Sequence, residues 1–219
     1  ANFDVSSLLA AGIQLSDLKS SIVSASALKS AGCSLQSLKS VGYDAASLKD
    51  AGFELDSLKS AGFSVSQLHA AGFNSIALKT SGFSVHDLKS VGLDAASLRV
   101  AGFPLASLKA ANYTIVELRS AGFDPMALRS VGFDMSALLD GGYDLAALKA
   151  SGCDASSMKK LGSSAVQLRA VGFDAVSLKL AGYDASNLHA AGFDVIALKS
   201  AGCSAVELKK LGYDALALK

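Results

Sequence analysis

The sequence is poor in almost everything that marks a reaction centre or a membrane anchor. It has no Trp, two Pro, three His and three Cys in 219 residues. The cysteines Cys33, Cys153 and Cys203 are odd in number and far apart, which excludes a closely spaced disulfide framework. They read as small buried hydrophobes. The histidines His69, His86 and His189 have no Cys or acidic neighbour at metal-ligand spacing, so no metal and no cofactor is expected. No apolar run approaches the roughly 20 residues that a membrane span needs. Lys plus Arg (20) nearly balance Asp plus Glu (19), leaving a formal net charge of +1 and no bulk attraction for nucleic acid. The glycines offer no phosphate loop, no Ser stands in a nucleophile motif, and neither Pro belongs to a linker. The expectation is no enzyme, no nucleic-acid partner and no catalytic residue.

What is present is one sentence repeated. Written in tens from Ala1, the chain is a single continuous array, 1–219, of 22 decapeptide repeats without insertion or deletion. Column two is Gly except at Asn2, Ile22 and Asn112. Column three holds every Phe, Tyr and Cys, its other occupants being Ile13, Val23, Leu93 and Ser163. Column four is mostly Asp or Ser, and column eight is Leu everywhere but Met158. Column nine is Lys or Arg except at Leu9, His69, Leu139 and His189.

These columns spell a helix with both ends marked. Column four supplies N-cap residues, whose side chains accept hydrogen bonds from free N–H groups of the first turn. Columns five to ten carry helix formers, giving a helix of about six to seven residues. Column two then takes the left-handed position that ends it. In that frame column eight is C3 and column three follows as C″, and the Schellman motif predicts a hydrophobic contact between the two, the aromatic touching the preceding Leu. Column three is also N′ of the next helix, so each Leu should be flanked by two column-three residues; Leu198 should lie near Phe193 and Cys203. Five repeats read as capping boxes: Ser64/Gln67, Ser84/Asp87, Thr114/Glu117, Ser164/Gln167 and Ser204/Glu207. Pro125 fits the first helical position. A β-solenoid would need alternating Val, Ile and Thr, whereas Thr occurs only twice.

Helices this short are not stable alone, so neighbours must stack. Odd and even repeats are alike, which predicts an all-α solenoid, a superhelix of short helices with Gly-terminated turns. Packing about 10 Å-wide helices around an axis suggests about three to five repeats per turn. Ile22, a β-branched residue where φ > 0 is wanted, is expected to distort its turn. Column nine is expected to form an exposed basic ladder, placed there by the helix dipole. Asn112-Tyr113-Thr114 is the one N-glycosylation sequon, making Asn112 a candidate acceptor, though Asn also suits a left-handed position.

The unit A-G-[FY]-[DS]-x-x-x-L-K-x resembles that of tandem decapeptide repeat proteins, and more broadly it is similar to α-solenoid scaffolds. The resemblance covers the whole chain and implies a repeat type, with no catalytic or binding residue to carry over. The high apolar fraction (51%) and the apolar last repeat lead to the expectation of a structural protein. It would be a rod or self-assembling fibre that associates end to end or laterally, a segment of a longer array and extracellular or at a cell surface. The other expectation is a solenoid that binds a protein or peptide partner, with its departures from consensus gathered on one face.

Overall fold

A computed structural model describes residues 4–214. Among them, 21 α-helices run from α1 (Val5–Ala10) to α21 (Ala205–Lys210), and no residue is in a strand. Every helix occupies columns five to ten of its repeat. The chain is an all-α solenoid-like array of short helices, as the column pattern predicts. The described residues form two compact units, divided between Tyr113 and Thr114.

The helix ends are built as the columns require. The N-cap sits at column four with extended backbone; in α13 (Pro125–Ser130), for example, the Asp124 side chain accepts from Ala127 N–H. All five expected capping boxes are present. A sixth, Asp184 with Asn187 in α19 (Ala185–Ala190), was not legible because Asp already serves as a cap and Asn187 is not acidic. Gln14, Glu54 and Pro104 stand at N-caps without a side-chain cap bond.

At the other end the chain turns through a left-handed residue, and two backbone bonds close it. After α20 (Val195–Ser200), Gly202 N–H donates to Lys199 O at 2.9 Å and Cys203 N–H to Leu198 O at 3.0 Å. This is the doubly bonded helix end predicted from column two. Ile22 does not distort its turn, contrary to expectation. It adopts φ +61°, and the same two bonds form: Ile22 N–H to Lys19 O (3.0 Å) and Val23 N–H to Leu18 O (3.2 Å). The turn is over-determined by its hydrogen bonds, so the residue takes on the strain while the geometry stays regular. Asn112 adopts φ +60° and keeps the turn as well.

Column eight is the core. From Leu28 to Leu208 its side chains are 0–1% exposed, with Met158 among them. Column five adds small buried residues such as Ala45, Ala95 and Ala175. Within each unit a helix packs against its successor and against the helix two repeats on: α3 (Ala25–Ser30) meets α5 (Ala45–Asp50), and α17 (Ala165–Ala170) meets α19. The stacking step is therefore two repeats, which corrects the expected three to five. The step is set by the bonds that cross it: the column-nine cation and the column-three tyrosine hydroxyl each reach 20–23 residues, to the second neighbour.

Each Leu in this column should carry full core weight. Leu128, 0% exposed, should cost about 2–5 kcal/mol when replaced by Ala. Urea unfolding of Leu128→Ala checks this, and a change within about 0.5 kcal/mol would remove column eight from the core.

Candidate functional site

The most organised side-chain chemistry lies at the joint between a turn and the helix two repeats before it. The column-nine cation of one helix crosses to the turn after the next-but-one helix. Lys19, in α2 (Leu15–Ser20), donates its Nζ to Val41 O at 3.0 Å and Gly42 O at 2.6 Å. The same ammonium lies 5.4 Å from the Tyr43 ring centroid. Lys79, in α8 (Ser75–Thr80), repeats this on Ala101 O (2.9 Å), Gly102 O (2.7 Å) and the Phe103 ring (5.0 Å). Lys149 does so on Val171 O (3.0 Å), Gly172 O (2.5 Å) and the Phe173 ring (4.8 Å). The ammonium thus has two carbonyl oxygens and an aromatic face around it.

Glycine supplies the left-handed turn of the joint, as at Gly42 with φ +90°; a Cβ there would meet only the movable end of Lys19, and Asn112 keeps the joint with Lys89. The tyrosines lock the joint from the other side. Tyr43, Tyr113, Tyr143 and Tyr183 donate their hydroxyls to the carbonyls of Val23, Leu93, Phe123 and Ser163, each twenty residues back. Burial pushes the hydroxyls of Tyr43, Tyr143 and Tyr183 above their ordinary pKa.

Column nine is therefore no free basic ladder. Most of its Lys residues are half-buried and their charges are spent inside the stack. Helix-dipole complementarity alone suffices to explain Lys near a C-terminus, and the second partner, 24 residues away, leaves no mark within one repeat. A signal across repeats does exist. Where column nine is Leu9, His69 or Leu139, the residue 24 positions on is Cys33, Leu93 or Ser163, none of them aromatic. At these three places cation and ring are both missing, whereas Arg129 and Lys179 keep the cation opposite Cys153 and Cys203, and His189 faces Tyr213.

The remaining candidates are dispersed. His69 and His189 take the column-nine place and His86 sits exposed in column six of α9 (Val85–Ser90). His69 Nδ1 is buried without a hydrogen-bond partner. His189 Nδ1 lies 3.0 Å from the Tyr213 hydroxyl, the rings edge to face at 5.5 Å. The three cysteines are unpaired. Cys153 replaces the aromatic ring of its joint, and Arg129 Nη1 points at its Sγ from 3.3 Å. Cys203 is buried, which raises its thiol pKa; there Lys179 turns to Glu207 at 3.1 Å. Asn112 is exposed in the left-handed turn, its carbonyl accepting Lys89 Nζ at 2.6 Å, while Thr114 is engaged in its capping box. Among the described residues, no three His, Cys, Asp or Glu side chains are grouped to hold a metal, and no helix is long and apolar enough to cross a membrane.

Two measurements probe the joint and the caps. Lys79→Met should cost about 1–3 kcal/mol, and a double-mutant cycle with Phe103→Leu should return a coupling of about 0.5–1 kcal/mol. A coupling near zero would detach the ring from the cation. The Glu207 carboxylate is held down to about 2 from an ordinary 4.5, first by the Ser204 N–H and then by the Lys179 ammonium. Asp44, Asp94, Asp154 and Asp174 are lowered likewise, each first by the N–H three residues on. A depressed carboxylate stabilises the fold above its unfolded pKa and ceases to do so as pH falls through the folded one. Thermal stability should therefore fall between about pH 4.5 and pH 2, less steeply in Glu207→Gln. Melting curves across that window that superimpose for the two proteins would remove Glu207 from the balance.

Comparison with known proteins agrees with this architecture. A family model described as "Decapeptide repeat region" matches residues 32–103, 82–155 and 152–219. No curated protein and no solved structure matches the chain. Because the matched segments run unbroken from residue 32 to residue 219, the chain belongs to the decapeptide repeat family.

Proposed function

We propose that this chain is a structural repeat protein that builds a rod or self-assembling filament, and we assign it no catalytic reaction. The observation that carries the reading is the direction of the joint. A helix offers a cation forwards, and a turn offers carbonyls and a ring backwards, as in Lys79 with Ala101, Gly102 and Phe103. Two unlike faces of this kind make a heterologous contact, which builds an open filament where its rotation does not close a ring. Such an array, wherever it begins and ends, can be continued by further repeats or by the first turns of another copy. The formal net charge of +1 puts little repulsion in the way.

A second reading, a scaffold that binds a protein or peptide, draws on column six. That column faces solvent and turns apolar mainly in the second unit, at Val116, Met126, Val166, Val176, Ile196 and Val206. In the first unit only Ile76 is of this kind.

Negative-stain electron microscopy of the purified chain across a concentration series separates the two. Filaments of uniform width that lengthen with concentration are the expected result. Monomeric particles at every concentration would overturn the assembly reading and favour the scaffold.

A further inference from the structure

One groove of the first unit gathers residues that work against the local rules of the fold. It has a volume of about 540 Å³ and lies between α3 and α5, with Lys19, Ile22, Val23, Tyr43, Asp44 and Asp50 among its lining. Ile22 holds φ +61°, a conformation that is an outlier for a β-branched side chain. The turn's two backbone bonds hold that conformation, but the side chain itself gains no packing in return, since the residue is 94% exposed. Asp50 is the last residue of α5, where the negative end of the helix dipole disfavours a carboxylate. Among the acids only Asp140, at the end of α14 (Met135–Asp140), shares that placement. Ser or Ala is usual in this column. Two residues that are locally costly and face one groove mark a surface shaped by something outside the fold.

The charge of the groove selects the partner. Its one cation, Lys19, is already committed to Val41 O, Gly42 O and the Tyr43 ring. Asp44 caps α5 by accepting from Ser47 N–H at 2.8 Å and lies in the field of Lys19, so the carboxylate left for a partner is that of Asp50, beside the aliphatic rim of Ile22 and Val23. We propose that this groove docks a segment of another protein that presents an aliphatic side chain next to Lys or Arg. The aliphatic group covers Ile22 and Val23, and the cation meets Asp50. The site is independent of whether the array assembles into filaments.

The strain supplies an unusual test. Ile22→Gly places at column two the residue found in most other repeats, and Asp50→Ser restores a usual column-ten residue, so both variants should fold at least as well as the parent. The probe is a fluorescein-labelled octapeptide of alternating leucine and arginine, with alternating leucine and glutamate as control, followed by fluorescence anisotropy. The parent chain should bind the basic peptide at least about tenfold more tightly than the acidic one, the equivalent of one charge-assisted contact. Each variant should lose about fivefold or more in affinity while its Tm stays equal or rises. Parent chain that does not discriminate between the peptides, or Ile22→Gly that binds as the parent does, would overturn the proposal. So would a fall in Tm for Ile22→Gly, because the side chain would then serve the fold.

Discussion

A six-residue helix is mostly ends. Four N–H groups at one terminus and four carbonyls at the other lack partners within any helix, and with six residues the two sets nearly exhaust the element. Nearly every column can be understood as an answer to that constraint. Columns four and seven satisfy the first turn by caps and capping boxes. The N–H groups of columns one, two and three close back on the carbonyls of columns seven, nine and eight, as Ala101, Gly102 and Phe103 do on Ser97, Arg99 and Leu98. The carbonyls of the turn itself are then left, and apart from Gln14 Nε2 on Gly12 O the bonds they accept come from other repeats. Lys from two helices back takes those of columns one and two, as Lys79 does, and where column three is Tyr its hydroxyl takes the column-three carbonyl twenty residues back, as Tyr113 does at Leu93. Both kinds of bond span 20–23 residues, which is why the hydrogen-bond inventory and the stacking step both come out at two repeats.

The division between what was legible and what was not follows the same boundary. Features that lie within about ten residues, such as helix limits, N-caps, the doubly bonded C-terminus and five of six capping boxes, could be read from the columns, because each has a local mechanism that residue type reveals. Features that join residues 20–24 apart could not. The placement of Lys79 near a helix C-terminus has a sufficient local explanation in the dipole, so nothing in its own repeat asks for Phe103. The number of repeats per turn was lost for the same reason, since it is fixed by where that Lys lands. Ile22 failed in the opposite way. A local rule predicted distortion there, and the turn's own bonds held the residue in place.

The joint tolerates chemical variation that a catalytic site would not. Its cation is Lys in most repeats, Arg119 over Tyr143, Arg169 over Phe193, and Arg129 against a thiol at Cys153. At His189 a ring nitrogen meets the Tyr213 hydroxyl, and at Lys179 the ammonium meets a carboxylate because Cys203 offers no ring face. What persists is the geometry, a side chain long enough to bridge one helix to the turn two repeats on. Where the bridge is absent, as at Leu139, the column-eight neighbours Leu138 and Leu148 remain 0% exposed. Apolar packing therefore holds each layer, and the polar bridge completes the backbone hydrogen bonding around it.

This separation bears on where function can be written. Columns one, three, five and eight are committed to the core, two, four and seven to the turn and caps, and nine to the joint. Only columns six and ten are left to face solvent without a structural task. In the first unit they are mainly Ser, Ala, Gln and Asp, apart from Ile76, Val100 and His86; in the second they include Val176, Leu180 and Ile196, the last two at 81% and 71% exposed. A repeat that needed these positions for stability would constrain them to one residue type, as it does column eight. Instead they differ from repeat to repeat while the backbone does not. The chain is thus a uniform scaffold carrying a non-uniform surface, and whatever it recognises must be recognised through the columns that the fold leaves unused, or through a place such as Ile22 where one of the committed columns breaks its own rule.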